Sequence, residues 1–323
     1  MAMRRAPSRI KPIEGIPDVF DFPRDIQPIL DRYCVACHGY EKTEHGGPRS
    51  GGIILTRDRG PVHSHSYSTL VPGFCNTGKD LGNNPPYSTG SGGSRLMEYI
   101  DGSHHNVKLD PHDHKMLRLW MDSGAIYAGT LAAEGCGMIY QQIGRQATRF
   151  HTATYTSWFS MQEDWPERVK AAEDVVSRRC VGCHKKVIQK FDITKENNTD
   201  KLAHLWFNLS RPNKSLLILA PLAEKDGGCQ LCYRDKKNSM PVFKDKDDPD
   251  YRTLLTYVEA LHEALNRNKR FDMPGFRPNP HYVRELKRYG IIPKDFDRLK
   301  DPIDVYGTDR AYWESFHYKP VPE

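Results

Sequence analysis

Two runs of five residues, Cys34-Val35-Ala36-Cys37-His38 and Cys180-Val181-Gly182-Cys183-His184, constrain this chain more than anything else in it. Each has the form C-x-x-C-H, the sequence signature of covalent c-type haem attachment. The spacing has a physical reason. Two thiols three residues apart, at the end of a helix, reach the two vinyl groups of one porphyrin, and the adjacent histidine then lies under the iron as proximal ligand. A zinc pair or a redox dithiol would need the cysteines but not the trailing histidines. The expected cofactors are two covalently attached haem c groups, one held by Cys34, Cys37 and His38, the other by Cys180, Cys183 and His184.

Around these motifs the sequence reads as two versions of one plan. Ile26, Ile29, Leu30 and Tyr33 fall at i, i+3, i+4 and i+7, an apolar helix face that ends at Cys34. A closing helix follows, with Asp110 as N-cap, Pro111 at N1, Asp113 in the positive first turn, and Met116, Leu117 and Trp120 as its buried stripe up to Gly124. In the second unit Trp165-Pro166-Glu167 opens a helix whose Val169, Ala172 and Val176 face inward before Cys180. Asp248-Pro249-Asp250 caps a closing helix with Tyr251, Leu254, Leu255, Val258, Leu261 and Leu265 at a period near 3.6. The intervals agree: Cys34 to Asp110 is 76 residues and Cys180 to Asp248 is 68. The expected fold is mainly α, two tandem cytochrome c-like domains with long loops and a C-terminal extension. Its divisions are an N-terminal arm (1–23), a first haem domain (24–140), a linker (141–164), a second haem domain (165–270) and a C-terminal arm (271–323). Residues 46–93, rich in Gly, Ser, Pro and Asn, read as a long loop over the haem face. The arm holds one short helix, His281 to Tyr289, and an aromatic end containing Tyr312, Trp313 and Phe316.

A chain of 323 residues is long enough for two ordinary cores. Only 38% of it is hydrophobic, which suits haem domains, since the porphyrin itself supplies apolar core. The net charge of +6 is mild and unclustered. It argues against nucleic acid and for an acidic redox partner protein or other subunits of a complex. No stretch approaches the roughly 18 apolar residues of a membrane span. The first 23 residues lack the apolar segment of a signal peptide, although haem attachment of this kind takes place outside the cytoplasm. The expected location is periplasmic or an equivalent lumen, with this sequence the mature form or a piece of a longer exported chain.

Distal ligands decide what such a protein does. A filled sixth position favours electron transfer, and an open one permits chemistry at iron. Before the closing helices the first unit offers His105, with His104 behind it; the second offers His204, with Met240 behind it. The first unit also holds eight of the fourteen histidines: His38, His45, His63, His65, His104, His105, His112 and His114. That enrichment reads as a second metal such as zinc, as proton delivery, or as a solvated histidine-rich surface. Cys229-Gln230-Leu231-Cys232 has no following histidine. It fits a strained disulfide, half a zinc site or two packed thiols, and Cys75 and Cys136 could pair in an oxidising compartment.

Several further runs are similar to a known family. Asp25-Ile26-Gln27-Pro28-Ile29-Leu30 into Cys34 resembles the planctomycete-type cytochrome c domains. The pattern of Ser94-Arg95-Leu96, His104-His105-Asn106-Val107-Lys108-Leu109, Trp120-Met121-Asp122-Ser123-Gly124-Ala125, Asn208-Leu209-Ser210-Arg211-Pro212 and Phe271-Asp272-Met273-Pro274-Gly275-Phe276 resembles the dihaem C-terminal region of hydrazine synthase α-subunits. So does the end, Ile303 to Tyr306 and Ala311 to Trp313. The N-terminal domain and β-propeller of those subunits have no counterpart here. The resemblance implies nitrogen-compound redox chemistry at the first haem, where the family uses a tyrosine iron ligand and a nearby zinc. Tyr40 is the nearest tyrosine to His38 and the candidate catalytic residue.

The residues therefore support electron transfer through two covalently bound haems. The alternative is a haem-catalytic subunit or fragment related to hydrazine synthase α, and a dihaem peroxidase is a third reading.

Overall fold

In the computed structural model, residues 11–78, 83–133, 162–184, 206–235 and 240–316 are described. They are mainly helical, and their only sheet is a two-stranded ribbon. The first unit opens on one turn of wide helix, Phe22–Ile26, that runs directly into α1 (Gln27–Tyr33). Phe22, Ile26, Ile29 and Leu30 are buried on its inner face. Asp21 caps the start by accepting a hydrogen bond from the Arg24 amide (3.1 Å), and its other oxygen takes the Gly129 amide (2.8 Å). The expected closing helix is α3 (Pro111–Asp122 in the chain), and its Asp110 cap accepts from the Asp113 amide at 2.9 Å. Asp113 does more than favour the helix start: it is buried and paired with Arg32 of α1, which ties opening and closing helices together. Trp120 is fully buried and donates to the Ile126 carbonyl (2.8 Å), with Phe22 5.4 Å away between ring centres.

Within residues 46–93, expected as loop, the structure has a further helix, α2 (His65–Phe74). Tyr67, Leu70, Val71 and Phe74, at i, i+3, i+4 and i+7, pack on the first core, but the Gly-, Ser-, Pro- and Asn-rich surroundings and Pro72 inside the helix mask that stripe. Its first turn is polar and buried as well: His65, Ser66 and Ser68. Polar groups can go inside when they find partners, and here all but the Ser68 hydroxyl do. Ser66 donates to the Gln27 side chain, and the Tyr67 hydroxyl donates to the Ala125 carbonyl at 2.8 Å.

The second unit is built on α4 (Trp165–Arg179) and α5 (Pro249–Asn268). Between them lie a helical turn, Leu216–Leu219, and the ribbon of β1 (Tyr233–Asp235) and β2 (Met240–Pro241). Leu254, Leu261 and Leu265 of α5 are buried to within 1% of complete. At about 1.5–3 kcal/mol per such side chain, packing holds this helix far more than its Asp248 cap, worth about 1 kcal/mol. Two helices finish the described chain, α6 (Pro280–Arg288) and α7 (Val305–Glu314). They share a small core with Ala132, and the Tyr282 hydroxyl donates to Asp309 at 2.5 Å. His204, Cys136 and residues 141–161 of the expected linker lie outside the described residues.

Burial pushes the Asp21 carboxyl up to about 6, against the hydrogen bonds from Gly129 and Arg24 that favour its ionised form. A carboxyl raised on folding contributes stability that is present below its unfolded value near 4 and is lost as pH rises through 6. The unfolding free energy of the native protein, relative to an Asp21→Asn variant, should therefore fall by roughly 3 kcal/mol between pH 4 and pH 7. Urea unfolding at a series of pH values checks this; a constant difference would contradict it.

Candidate functional site

The two C-x-x-C-H runs have the same backbone. In the first, the amide of Cys34 donates to Leu30 O (2.8 Å), that of Cys37 to Cys34 O (3.2 Å) and that of His38 to Cys34 O (2.9 Å). In the second, Cys180 donates to Val176 O (2.9 Å), Cys183 to Cys180 O (3.2 Å) and His184 to Cys180 O (2.9 Å). Both are one turn continuing from the helix before. Such a turn puts the second cysteine and the histidine back over the first cysteine.

At the first motif the turn opens onto a cavity of about 320 Å³, within the usual range for small-molecule and cofactor sites. Its walls are largely apolar: Ile53, Leu55, Leu70, Phe74, Leu96 and Val107, with Cys34, Cys37 and His38 at one side and His104 and His105 at another. The His38 ring nitrogen Nδ1 is 3.0 Å from the Ser50 carbonyl. A carbonyl can only accept, so Nδ1 carries the hydrogen and Nε2 keeps its lone pair, the tautomer a metal ligand requires. Burial lowers the pKa of His38, and the nearby His104 and His105 lower it further against the Ser50 hydrogen bond, so the ring is held neutral.

The ring facing His38 is that of His104. Their centres are 6.0 Å apart and their planes differ by 13°. Two imidazoles on opposite sides of one metal, with bonds of about 2.0 Å, would also have centres about 6 Å apart. Tyr99 braces His104 edge-on at 5.1 Å. His105, its sequence neighbour, is exposed and meets His104 edge to face, ring centres 4.7 Å apart. His105 and Asn106 have φ of +48° and +61°, consecutive left-handed residues that reverse the chain at the cavity rim.

The remaining histidines of the first unit divide by place. His45 also lines the cavity, and His63 packs between Tyr67 and Tyr127. His112 and His114 sit in the first turn of α3. Asp110, His112 and Asp113 form the one cluster with metal-like spacing among the described residues. Its groups are already engaged: His112 with the Gly15 carbonyl (2.9 Å), Asp113 with Arg32 and Asp110 with the Tyr33 hydroxyl (3.0 Å).

Tyr40 is not among the cavity residues. It is buried between the two units, and its hydroxyl lies 3.2 Å from His65 Nδ1 and accepts from the Asn208 side chain at 3.2 Å. His65, wholly buried, puts Nε2 3.0 Å from the Phe207 carbonyl. This fixes its hydrogen on Nε2, so the Tyr40 phenol donates to Nδ1. The Arg211 guanidinium lies 4.9 Å over the Tyr40 ring and binds Asp58 through two nitrogens, at 2.5 and 3.2 Å. Burial alone would raise the Asp58 carboxyl; the Arg211 hydrogen bonds and charge outweigh it and hold the carboxyl below the usual range. Nearby, Leu209 N donates to Arg59 O at 2.7 Å. No periodicity or motif marks this junction, since its members are scattered from residue 40 to residue 211.

The first thiol of each motif lacks the depressed pKa of a reactive dithiol's nucleophile. Burial pushes Cys34 up to about 12, with the neighbouring Cys37 adding to the shift. Cys180 is pushed up to about 11 by burial, with Cys232 and Cys183 as neighbours. Cys232 packs with Cys180 against the second core, while Cys229 packs beside Tyr40, Ile54 and Leu219. The second motif projects from α4 with His184 exposed, and residues 185–205, including His204, lie outside the described ones. Met240 lines a second cavity beside Arg179, the residue before Cys180.

No protein-family model, curated protein or solved structure matches the chain.

Replacing Tyr40 by Phe removes the phenol from a buried network and leaves His65 and Asn208 each short of a partner. The cost should be about 1–3 kcal/mol in urea unfolding. A change within about 0.5 kcal/mol would mean that the junction is solvated.

Proposed function

We propose that this chain is an electron-transfer protein of the c type, with one haem joined to Cys34 and Cys37 and a second joined to Cys180 and Cys183. The observation that carries the reading is the pair of near-parallel imidazoles, His38 and His104, facing each other across an apolar cavity at the first C-x-x-C-H turn. When bound, the haem supplies a one-electron iron couple. The protein's part is to hold it. Each cysteine thiol adds across a vinyl group, giving a thioether that needs no ionised sulfur in the folded state. His38 presents the Nε2 lone pair, oriented by Ser50, and His104 presents a second nitrogen braced by Tyr99. With His38 and His104 both available to hold the iron, the first site would pass electrons rather than bind substrate. His104 thus replaces His105 as the preferred distal ligand.

For the second site His184 is the proximal ligand. Its distal candidates are His204, outside the described residues, and Met240, which lines a cavity together with Arg179, the residue before Cys180. Two covalent haems imply maturation in a periplasm or equivalent lumen and a redox partner protein to exchange electrons with. Catalysis at the first haem, the hydrazine synthase-like alternative, would need an open iron. Tyr40 does not supply a ligand for it while its hydroxyl is held by His65 and Asn208.

The test is spectroscopic. Reduced native protein mixed with carbon monoxide should keep its Soret band at the first haem. His104→Ala should open that site and shift the band, whereas His105→Ala should leave it unchanged. An unaltered low-spin spectrum in His104→Ala would defeat the assignment, and a carbon monoxide shift in the native protein at the first haem would favour catalysis.

A further inference from the structure

The first cavity has no formal charge in its walls. Among the sixteen residues that line it there is no Asp, Glu, Lys or Arg. A porphyrin of the c type brings two propionate carboxylates, and a carboxylate taken out of water without a donor or cation is costly. Some group at the rim must meet that charge.

Arg95 is placed to do so. Its guanidinium carbon is 5.8 Å from the centre of the Phe74 ring and 6.0 Å from that of Tyr99, and both rings are cavity walls. The next residue, Leu96, is a wall as well. One Arg95 nitrogen donates to the Tyr99 hydroxyl at 2.9 Å, and among the described residues Arg95 pairs with no carboxylate. A guanidinium has five N–H donors, so four remain, and the Tyr99 hydroxyl, having accepted from Arg95, still has its own hydrogen to give. Stacking on two rings holds the planar fork in place, and a fork of this kind matches a carboxylate. The other arginine near the rim, Arg49, precedes the lining residue Ser50, but its charge acts on Tyr40 and Cys229, at the junction with the second unit.

We infer that Arg95, with the Tyr99 hydroxyl, is the carboxylate-binding end of the first cavity and takes a propionate of the haem held there. The inference rests on the haem reading of the preceding subsection. Arg95 is a positioning residue that also sets charge: a fixed cation beside the porphyrin favours the reduced state, which carries one more negative charge.

The experiment is a redox titration of the holoprotein followed in the Soret region, for the native chain, Arg95→Gln and Arg95→Lys. Arg95→Gln should lower one of the two midpoint potentials by up to about tenfold in the reduction equilibrium, about 59 mV for one electron. The other step should stay where it is, the low-spin bands should be unchanged, and Arg95→Lys should restore most of the shift. The inference is overturned if neither step moves, if both move equally, or if Arg95→Gln loses its low-spin bands, which would mean that it acts through His104. A native protein with no attached haem would overturn the earlier reading and this one together. Normal haem content with unmoved potentials would overturn this one alone.

Discussion

One hydrogen bond organises the first site, that from His38 Nδ1 to the Ser50 carbonyl. It fixes the tautomer, leaving the lone pair on Nε2, and anchors a ring whose near-parallel neighbour at 6.0 Å is His104. Everything else about the site supports that orientation. The turn from α1 brings His38 over Cys34, the His38 carbonyl accepts the Leu55 amide at 2.8 Å, and Ser50 itself is anchored by donating to Cys37 O at 3.1 Å. The result is a neutral imidazole in a low-dielectric pocket, the form in which histidine binds a metal. Local electrostatics and local packing favour the same protonation state.

The second feature of consequence is how the units meet. Tyr40 lies two residues from His38, and its hydroxyl bonds to Asn208 of the other unit. Cys229 packs against the Tyr40 cluster, and Cys232, three residues on, packs with Cys180. The cores at the two motifs are therefore in continuous contact rather than tethered by a linker alone. The half-exposed Arg211, paired with the buried Asp58, reinforces this, as does the buried Arg270, which pairs with Asp272 and donates to the Gly60 carbonyl at 3.1 Å. Removing either arginine would strand a buried carboxylate. In a protein that passes electrons between two sites, such a junction would hold them at a fixed separation.

Much of the helical frame was legible from sequence. Helices α1, α3, α4 and α5 follow from apolar periodicity, and Asp110 and Asp248 with their following prolines mark two starts. The C-x-x-C-H turns need only local geometry, so their backbone could be expected as well. Helix α2 was masked by its Gly-, Ser-, Pro- and Asn-rich surroundings and by Pro72 inside it, although Tyr67, Leu70, Val71 and Phe74 share one face, and the burial of His65 and Ser66 depends on partners far away in sequence. The choice between His104 and His105 was also beyond local reading. Adjacent residues share the same sequence environment, and the left-handed turn at His105 and Asn106 decides which ring faces His38. The Tyr40, His65 and Asn208 junction is tertiary in every bond. The charge-free lining of the first cavity, which singles out Arg95, likewise exists only once the chain is folded.

The most direct test is the mass and colour of the purified protein from a host equipped for cytochrome c maturation. The account predicts a denaturation-resistant mass increase equal to two haem groups and a c-type absorption spectrum, with one group lost in a Cys34→Ala, Cys37→Ala double variant. Colourless protein at the mass of the bare polypeptide would contradict it.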